Sequence, residues 1–160
     1  MSAIELLQQK GSGHIVFVCL GNICRSPLAE GIAKHLYQGD MYSFSSAGTS
    51  GFHSGDSIDE RSIAIAHKNG IDISGYKSKQ ISIYKHTQAD LLVAMDKSVL
   101  TTLHQLGFDH KKIILFGDFG LGGAEVPDPY YGGAQGFENV YAMLFSGINY
   151  LLKELLCNKL

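Results

Sequence analysis

The sequence predicts an α/β fold: one domain built on a four-stranded parallel sheet with helices on both faces. Three observations predict it. Strand-like and helix-like stretches alternate along the 160 residues. Residues 14–20 (HIVFVCL) run unbroken in apolar side chains after His14, as a central parallel strand covered on both faces must. Residues 137–156 read as a long amphipathic helix, with Phe137, Val140, Tyr141, Leu144, Ile148, Leu151, Leu152 and Leu155 at i, i+3, i+4 spacing.

The elements follow in order. After the first strand, residues 26–38 predict a helix: Ser26 suits the N-cap, Pro27 the first turn, and Glu30 the positive dipole end. Leu28, Ile32, His35 and Leu36 are expected to share its buried stripe. Residues 42–47 predict a second strand, closed by the turn-rich GTSGFHSG. Residues 59–69 predict a helix with Ile63, Ala66 and His67 on one face and Gly70 just past its end. Residues 90–95 (DLLVAM) and 112–116 (KIILF) predict the third and fourth strands, with a helix over 97–106 between them. Residues 117–136 then form an irregular stretch of a length that is often functional, with six of the nineteen glycines within residues 120–136 and two of the three prolines.

Composition narrows the function. A 17.4 kDa chain buries roughly 70% of its unfolded surface and needs neither disulfides nor metals to build a core. Thirteen Lys and Arg against fifteen Asp and Glu give a net charge of −2, which argues against a nucleic-acid partner. No apolar run approaches the roughly 20 residues that span a bilayer, so no membrane partner is expected. MSAIELLQQKGSG has a central acid and no basic start, unlike a signal peptide. Three cysteines make no secreted disulfide framework. A soluble, cytoplasmic protein is expected.

The chemistry lies in VCLGNICRSPLAE, residues 18–30. Cys19 ends the first strand, and Arg25 stands at the start of the next helix, with Gly21 and Asn22 between. Ligands of open parallel sheets bind beyond the carboxyl ends of the strands. A loop from Cys19 to Arg25 can curl so that its N–H groups point inward as an anion nest, with the helix N-terminus behind it. Gly21 and Asn22 tolerate the backbone angles such a curl demands. These surroundings favour the thiolate of Cys19, and the planar fork of Arg25 suits two oxygens of a phosphate. Ser26 stands either to donate to the Cys19 sulfur or to cap the helix, since one hydroxyl does not readily do both. A strand-end cysteine is often only a small hydrophobe; the strand, Gly, Asn, Arg, Ser and Pro27 around this one favour a functional site.

Cleaving a phosphate ester also calls for an acid. Asp128, in VPDPYYGG, is stiffened by Pro127 and Pro129. As a turn aspartate it would be ordinary; Cys19 and the neighbouring Tyr130 and Tyr131 favour catalysis. The seven histidines show no metal-ligand spacing, and no metal or other cofactor is expected. His35 and His67 are expected to be partly buried on helices, and His53 to lie near the site. Asp96 is expected to cap the helix over 97–106 rather than to support the site.

Taken together, these residues resemble the low-molecular-weight protein tyrosine phosphatases. The likeness runs through VCLGNICRSPLAE, SSAGTSGFHSG, AMDKS, VPDPYYGG and FENVY. It implies two-step hydrolysis of phosphotyrosine in a protein partner: Cys19 attacks phosphorus in line while Asp128 protonates the phenol, and Asp128 then activates the water that frees phosphate. Arg25 and the loop from Leu20 through Gly21, Asn22, Ile23 and Cys24 would bind the phosphate, with Asn22, Ser26 and Ser46 fixing the loop. Leu20, Ile23, Phe52, Tyr130 and Tyr131 would wall a slot for the ring, Phe52 and Tyr130 facing one another. Cys24 would be a redox partner for Cys19, or else a small residue that fills the loop. Tyr76 stands where many relatives carry a histidine of the loop network, and Phe52 where tryptophan or tyrosine is frequent. Residues 1–13 remain as an N-terminal extension, tag-like or mobile, before a phosphatase domain over residues 14–160. A monomer is favoured.

Two other functions fit the same loop. An arsenate reductase would need a further cysteine pair, and only Cys157 remains. A phosphate carrier, with Cys19 phosphorylated by a partner, would have little use for Asp128 in a stiff loop beside ring-sized aromatics.

Overall fold

In the computed structural model, which describes residues 1–157, the apolar run after His14 lies at the centre of the sheet. Residues 158–160 of the expected domain lie outside the described residues. Strand β1 (Gly13–Cys19) pairs in parallel with β2 (Tyr42–Gly48) on one side and β3 (Leu91–Ala94) on the other, and β4 (Ile113–Leu115) completes the order β2-β1-β3-β4. Side chains alternate along a strand, so Ile15, Phe17 and Cys19 join one core cluster and Val16 and Val18 the other. Helices α1 (Ala3–Lys10), α2 (Arg25–Leu36), α3 (Glu60–Lys68) and α5 (Ala134–Leu156) supply the first cluster, and α4 (Lys97–Gln105) the second. The chain leaves β1 toward β2 and returns on the other side as β3. That reversal opens a crevice at the carboxyl end of β1, where Cys19 stands.

Several expectations are corrected. Residues 3–10 are not a loose extension: they form α1, with Leu7 only 2% exposed in the core and Lys10 Nζ 2.8 Å from Asp90 Oδ1. The cues are in the sequence. Ser2 Oγ accepts from the Glu5 N–H in an S-x-x-E start, and Gly11 closes the helix in the left-handed region. Helix α2 begins at Arg25 with no side-chain cap; Ser26 is spent on the site instead. His35 is exposed, because α2 is buried all round from Arg25 to Ala33 and only its last turn emerges. His67 is exposed too. The buried face of α3 is Ser62, Ile65 and Ala66, turned one residue from the apolar stripe because Ser62 Oγ donates to the Cys24 carbonyl at 3.2 Å. The last helix starts three residues earlier than expected. The long stretch before it holds a 3₁₀ turn at Phe116–Asp118 and is anchored by buried Val126.

Candidate active site

The loop after β1 is fixed by its carbonyls. Thr49 and Ser50 N–H groups donate to the Cys19 and Leu20 carbonyls, both at 2.9 Å. Ser78 Oγ donates to the Gly21 carbonyl at 2.8 Å, the Asp59 N–H to Ile23 at 2.9 Å, and Ser62 Oγ to Cys24. A trans peptide sets N–H opposite C=O, so carbonyls held outward aim the following N–H groups inward. The Asn22 N–H does point in, 3.3 Å from Cys19 Sγ. Asn22 alone takes a positive φ here, 56°. Gly21 does not, contrary to expectation; its bare Cα instead lets the His53 ring approach, where a Cβ would stand 3.2 Å from Cδ2. Gly48 at the end of β2 was not foreseen. A Cβ there would meet Leu20 O at 2.7 Å, so only glycine lets β2 pack on the loop.

Side chains brace the same loop. Ser26 Oγ lies 3.0 Å from Cys19 Sγ, accepts from Asn22 Nδ2 at 2.8 Å and caps no helix. Asn22 Nδ2 also donates to Ser46 Oγ at 3.0 Å, and Asn22 Oδ1 accepts from the Lys79 N–H at 2.9 Å. The network runs on to residues the sequence reading missed: Ser46 Oγ donates to buried Glu30 at 2.7 Å, and Lys34 Nζ donates to Glu30 at 2.6 Å. Lys34 lies 5.2 Å from the centre of the Tyr76 ring, so the tyrosine meets this chain at its far end.

Arg25 is 3% exposed. Its Nη1 donates to Asp96 Oδ2 at 2.7 Å and to the Val126 carbonyl at 2.9 Å. Burial opposes its charge, but Cys19 and Asp96 outweigh burial and hold the guanidinium protonated beyond its ordinary range. Asp96 therefore does both jobs weighed for it, since Oδ1 accepts the Val99 N–H at the start of α4. Asp128 comes to the other side of Arg25, Oδ2 3.8 Å from Nη2. Burial, with Asp59 and Cys19 nearby, pushes the Cys24 thiol up to about 12.

A cleft of about 410 Å³ opens over Cys19, Arg25 and Asp128. Leu20, Ile23, Phe52, Tyr130 and Tyr131 line it, as do Ser50 and His53. Phe52 and Tyr130 are not paired directly. The His53 ring lies between them, 4.8 Å from Phe52 and 6.4 Å from Tyr130, with Nδ1 3.1 Å from Asp56. Among the described residues, no three His, Cys, Asp or Glu side chains are placed to hold a metal ion, and no helix is long and apolar enough to cross a membrane.

The profile of the low molecular weight phosphotyrosine protein phosphatases matches residues 14–159. The chain belongs to this family. It is 36% identical over 143 residues to a low molecular weight protein-tyrosine phosphatase A of Mycobacterium tuberculosis, covering 84% of this chain and 86% of that one. A crystal structure of a protein tyrosine phosphatase from Entamoeba histolytica superposes with a TM-score of 0.86 at 34% identity, covering 93% of this chain and all of that one. A Drosophila arginine phosphatase shares the fold at a TM-score of 0.83 and 26% identity, covering 91% of this chain and 99% of that one. In this chain the strand-to-helix turn after β1 holds Cys19, and Arg25, Asp96 and Asp128 meet beside it.

Proposed function

We propose that the protein hydrolyses phosphotyrosine esters in protein substrates through a phosphocysteine intermediate, without a metal. One observation carries the reading: Cys19 Sγ lies in a cleft with Arg25 beside it, the Ser26 hydroxyl and the Asn22 N–H on the sulfur, and Asp128 across the opening. Cys19 Sγ attacks phosphorus in line as the bond from phosphorus to the phenolic oxygen breaks, and Asp128 gives that oxygen its proton. Asp128 then takes a proton from the attacking water, the P–S bond breaks, and Ser26 donates to the departing sulfur. Arg25 and the inward N–H groups from Leu20 to Arg25 hold the equatorial oxygens, acting on charge that grows in the transition state.

The aromatic lining favours an aryl ester: Tyr130, Phe52 and the His53 ring offer faces to a phenol. Cys157 argues against an arsenate-reductase relay, being exposed at the far end of a 23-residue helix, about 35 Å from its start near the acid loop. Cys24, buried beside the nucleophile and held as a thiol, is placed to capture an oxidised Cys19 as a disulfide. Three free cysteines accord with a reducing, cytoplasmic setting.

The test is turnover of a chromogenic aryl phosphate with EDTA present. Cys19→Ser should abolish turnover while still binding inorganic phosphate. Asp128→Ala should lower kcat/KM, which reports the step that expels the phenol, about 10²–10⁴-fold for poor leaving groups and far less for good ones. Full activity in Cys19→Ser rejects the nucleophile, and no turnover by the wild-type protein moves the reading to a phosphate carrier.

A further inference from the structure

The loop that carries Asp128 is thinly held. Residues 127–135 are exposed, apart from Pro129. Just before them, Val126 is fixed: its N–H donates to the Met95 carbonyl at 2.9 Å and its carbonyl accepts from Arg25. Within the loop, Asp128 Oδ1 accepts from the Tyr130 N–H at 3.1 Å, and the Gly132 N–H donates to the Pro129 carbonyl at 3.0 Å. These local turns stiffen the loop without locating it over the sulfur. At 3.8 Å the contact from Asp128 to Arg25 is longer than a hydrogen bond, so the carboxyl stands where the backbone puts it.

Among the described residues, apart from the Gly136 N–H on the Gly133 carbonyl at the start of α5, the hydrogen bonds that reach 129–133 from beyond this loop both come from Arg61. Nη2 donates to the Tyr130 carbonyl at 2.9 Å and Nη1 to the Gly132 carbonyl at 3.3 Å. The guanidinium carbon also stands 5.5 Å from the centre of the Tyr130 ring and 4.6 Å from that of Phe137, the buried residue in the first turn of α5. The same fork is seated on Asp59, whose carboxylate accepts from Nε at 3.0 Å and Nη2 at 2.9 Å. Asp59 is in turn tied to the phosphate loop through its N–H on the Ile23 carbonyl. A continuous path therefore joins the loop of Cys19 to the loop of Asp128: Ile23, Asp59, Arg61, then Tyr130 and Gly132.

We infer that Arg61 is the positioning residue for the general acid. Seated on Asp59, its fork grips the carbonyls of Tyr130 and Gly132 and so sets the distance from the Asp128 carboxyl to the leaving-group oxygen. This rests on the phosphatase reading above. It uses the planar, multi-donor geometry of arginine: a lysine ammonium keeps the charge but cannot span Asp59 and two carbonyls in one plane.

The experiment compares wild type, Asp128→Ala, Arg61→Met and Arg61→Lys. Arg61→Met keeps a stem to lie on Phe137 and removes every donor; Arg61→Lys guards against a methionine variant that does not fold. Three quantities are read: kcat/KM on aryl phosphates with good and poor leaving groups, inhibition by inorganic phosphate, and amide hydrogen exchange over residues 128–133. A misplaced acid should lower kcat/KM on poor leaving groups about 10- to 100-fold, since ångström-scale displacement costs that much. Good leaving groups should lose at most about threefold, because they need little protonation. Arg61→Lys should fall between wild type and Arg61→Met. Phosphate inhibition should stay as in wild type, and exchange over 128–133 should quicken. Equal losses in kcat/KM on both kinds of leaving group, unchanged kcat/KM, weakened phosphate binding in step with kcat/KM, or unchanged exchange would each overturn the inference. Failure of the wild type to turn over aryl phosphates is a different outcome: it removes the phosphatase reading itself, and the positioning role with it.

Discussion

At the scale of single residues, the site is governed by what each buried polar group would lose without its partner. Arg25 is buried and charged, and Asp96 is the carboxylate in direct hydrogen bond with it. Removing one member of such a pair leaves an uncompensated charge and costs about 3 kcal/mol or more. Asp96→Ala should therefore lower stability by about that much in urea titrations, and should weaken inhibition by phosphate because the fork of Arg25 is no longer held in one plane. Part of the stability loss would come from α4, whose first turn Asp96 caps. Asp96→Ser separates the two effects. Serine still caps the helix but does not pair with Arg25, so stability should partly return while phosphate affinity stays low. Recovery of both would mean that the contact to Arg25 matters little. Asn22 follows the same logic in a neutral setting: its amide makes three hydrogen bonds while its backbone holds a positive φ that most side chains avoid.

At the scale of elements, α1 shows how a short helix can be specified without a visible stripe. Eight residues give barely two turns, too few for apolar spacing to stand out, yet the start and stop residues mark both ends. Its attachment includes one buried leucine, about 1.5–3 kcal/mol of burial, Ala3 and Ile4 against the core, Gln8 Nε2 donating to the Glu154 carbonyl at 2.6 Å, and the pair between Lys10 and Asp90. Asp90 also accepts from the His14 N–H at 2.8 Å, so it joins α1, β1 and the start of β3. Burial alone would raise the Asp90 carboxyl, but the hydrogen bonds from Lys10 and His14 outweigh burial and hold it below its ordinary range. A depressed folded-state value means the carboxylate stabilises the fold above the unfolded value near pH 3.9, and that this stabilisation is lost as pH falls through the folded value. Asp90→Asn keeps an acceptor for His14 and removes the charge. The unfolding free energy from urea titrations should then fall slightly at pH 7, by up to about 1 kcal/mol given the exposed lysine, and the variant and wild type should converge as pH drops below about 4. A gap that widens on acidification would contradict this sign. The site lies at the other end of the sheet, so kcat/KM should not change.

At the scale of the whole molecule, what could be read in the sequence is what neighbouring residues encode. The sheet was legible because β1 is apolar on both faces, and Cys19, Arg25 and Asp128 because each sits in a short local motif. Asp96, weighed for the site but expected as a cap, and Glu30 and Arg61, not seen as site residues, were obscured for the opposite reason. They reach the site from the end of β3, the middle of α2 and the start of α3, and only packing brings them to the same few ångströms. The exposed histidines of α2 and α3 were misread because a helix buried all round, or one that buries a serine, breaks the apolar stripe. A site assembled from three strand ends and two helices should behave as part of the cooperative fold, and that can be measured. A ligand that binds only the folded chain stabilises it by RT ln(1 + [L]/Kd), about 2.7 kcal/mol at a hundred times Kd. For a chain of this size each kcal/mol raises Tm by about 2–4 °C, so saturating phosphate should lift Tm by roughly 5–10 °C. Arg25→Met should abolish the rise whatever its own starting Tm, because the comparison is made within one variant. Arg61→Met should keep the rise, since its fork holds the acid loop and leaves the anion's seat intact. A rise lost in both variants would mean that phosphate is held by the two loops jointly, and the division of labour between Arg25 and Arg61 would have to be redrawn.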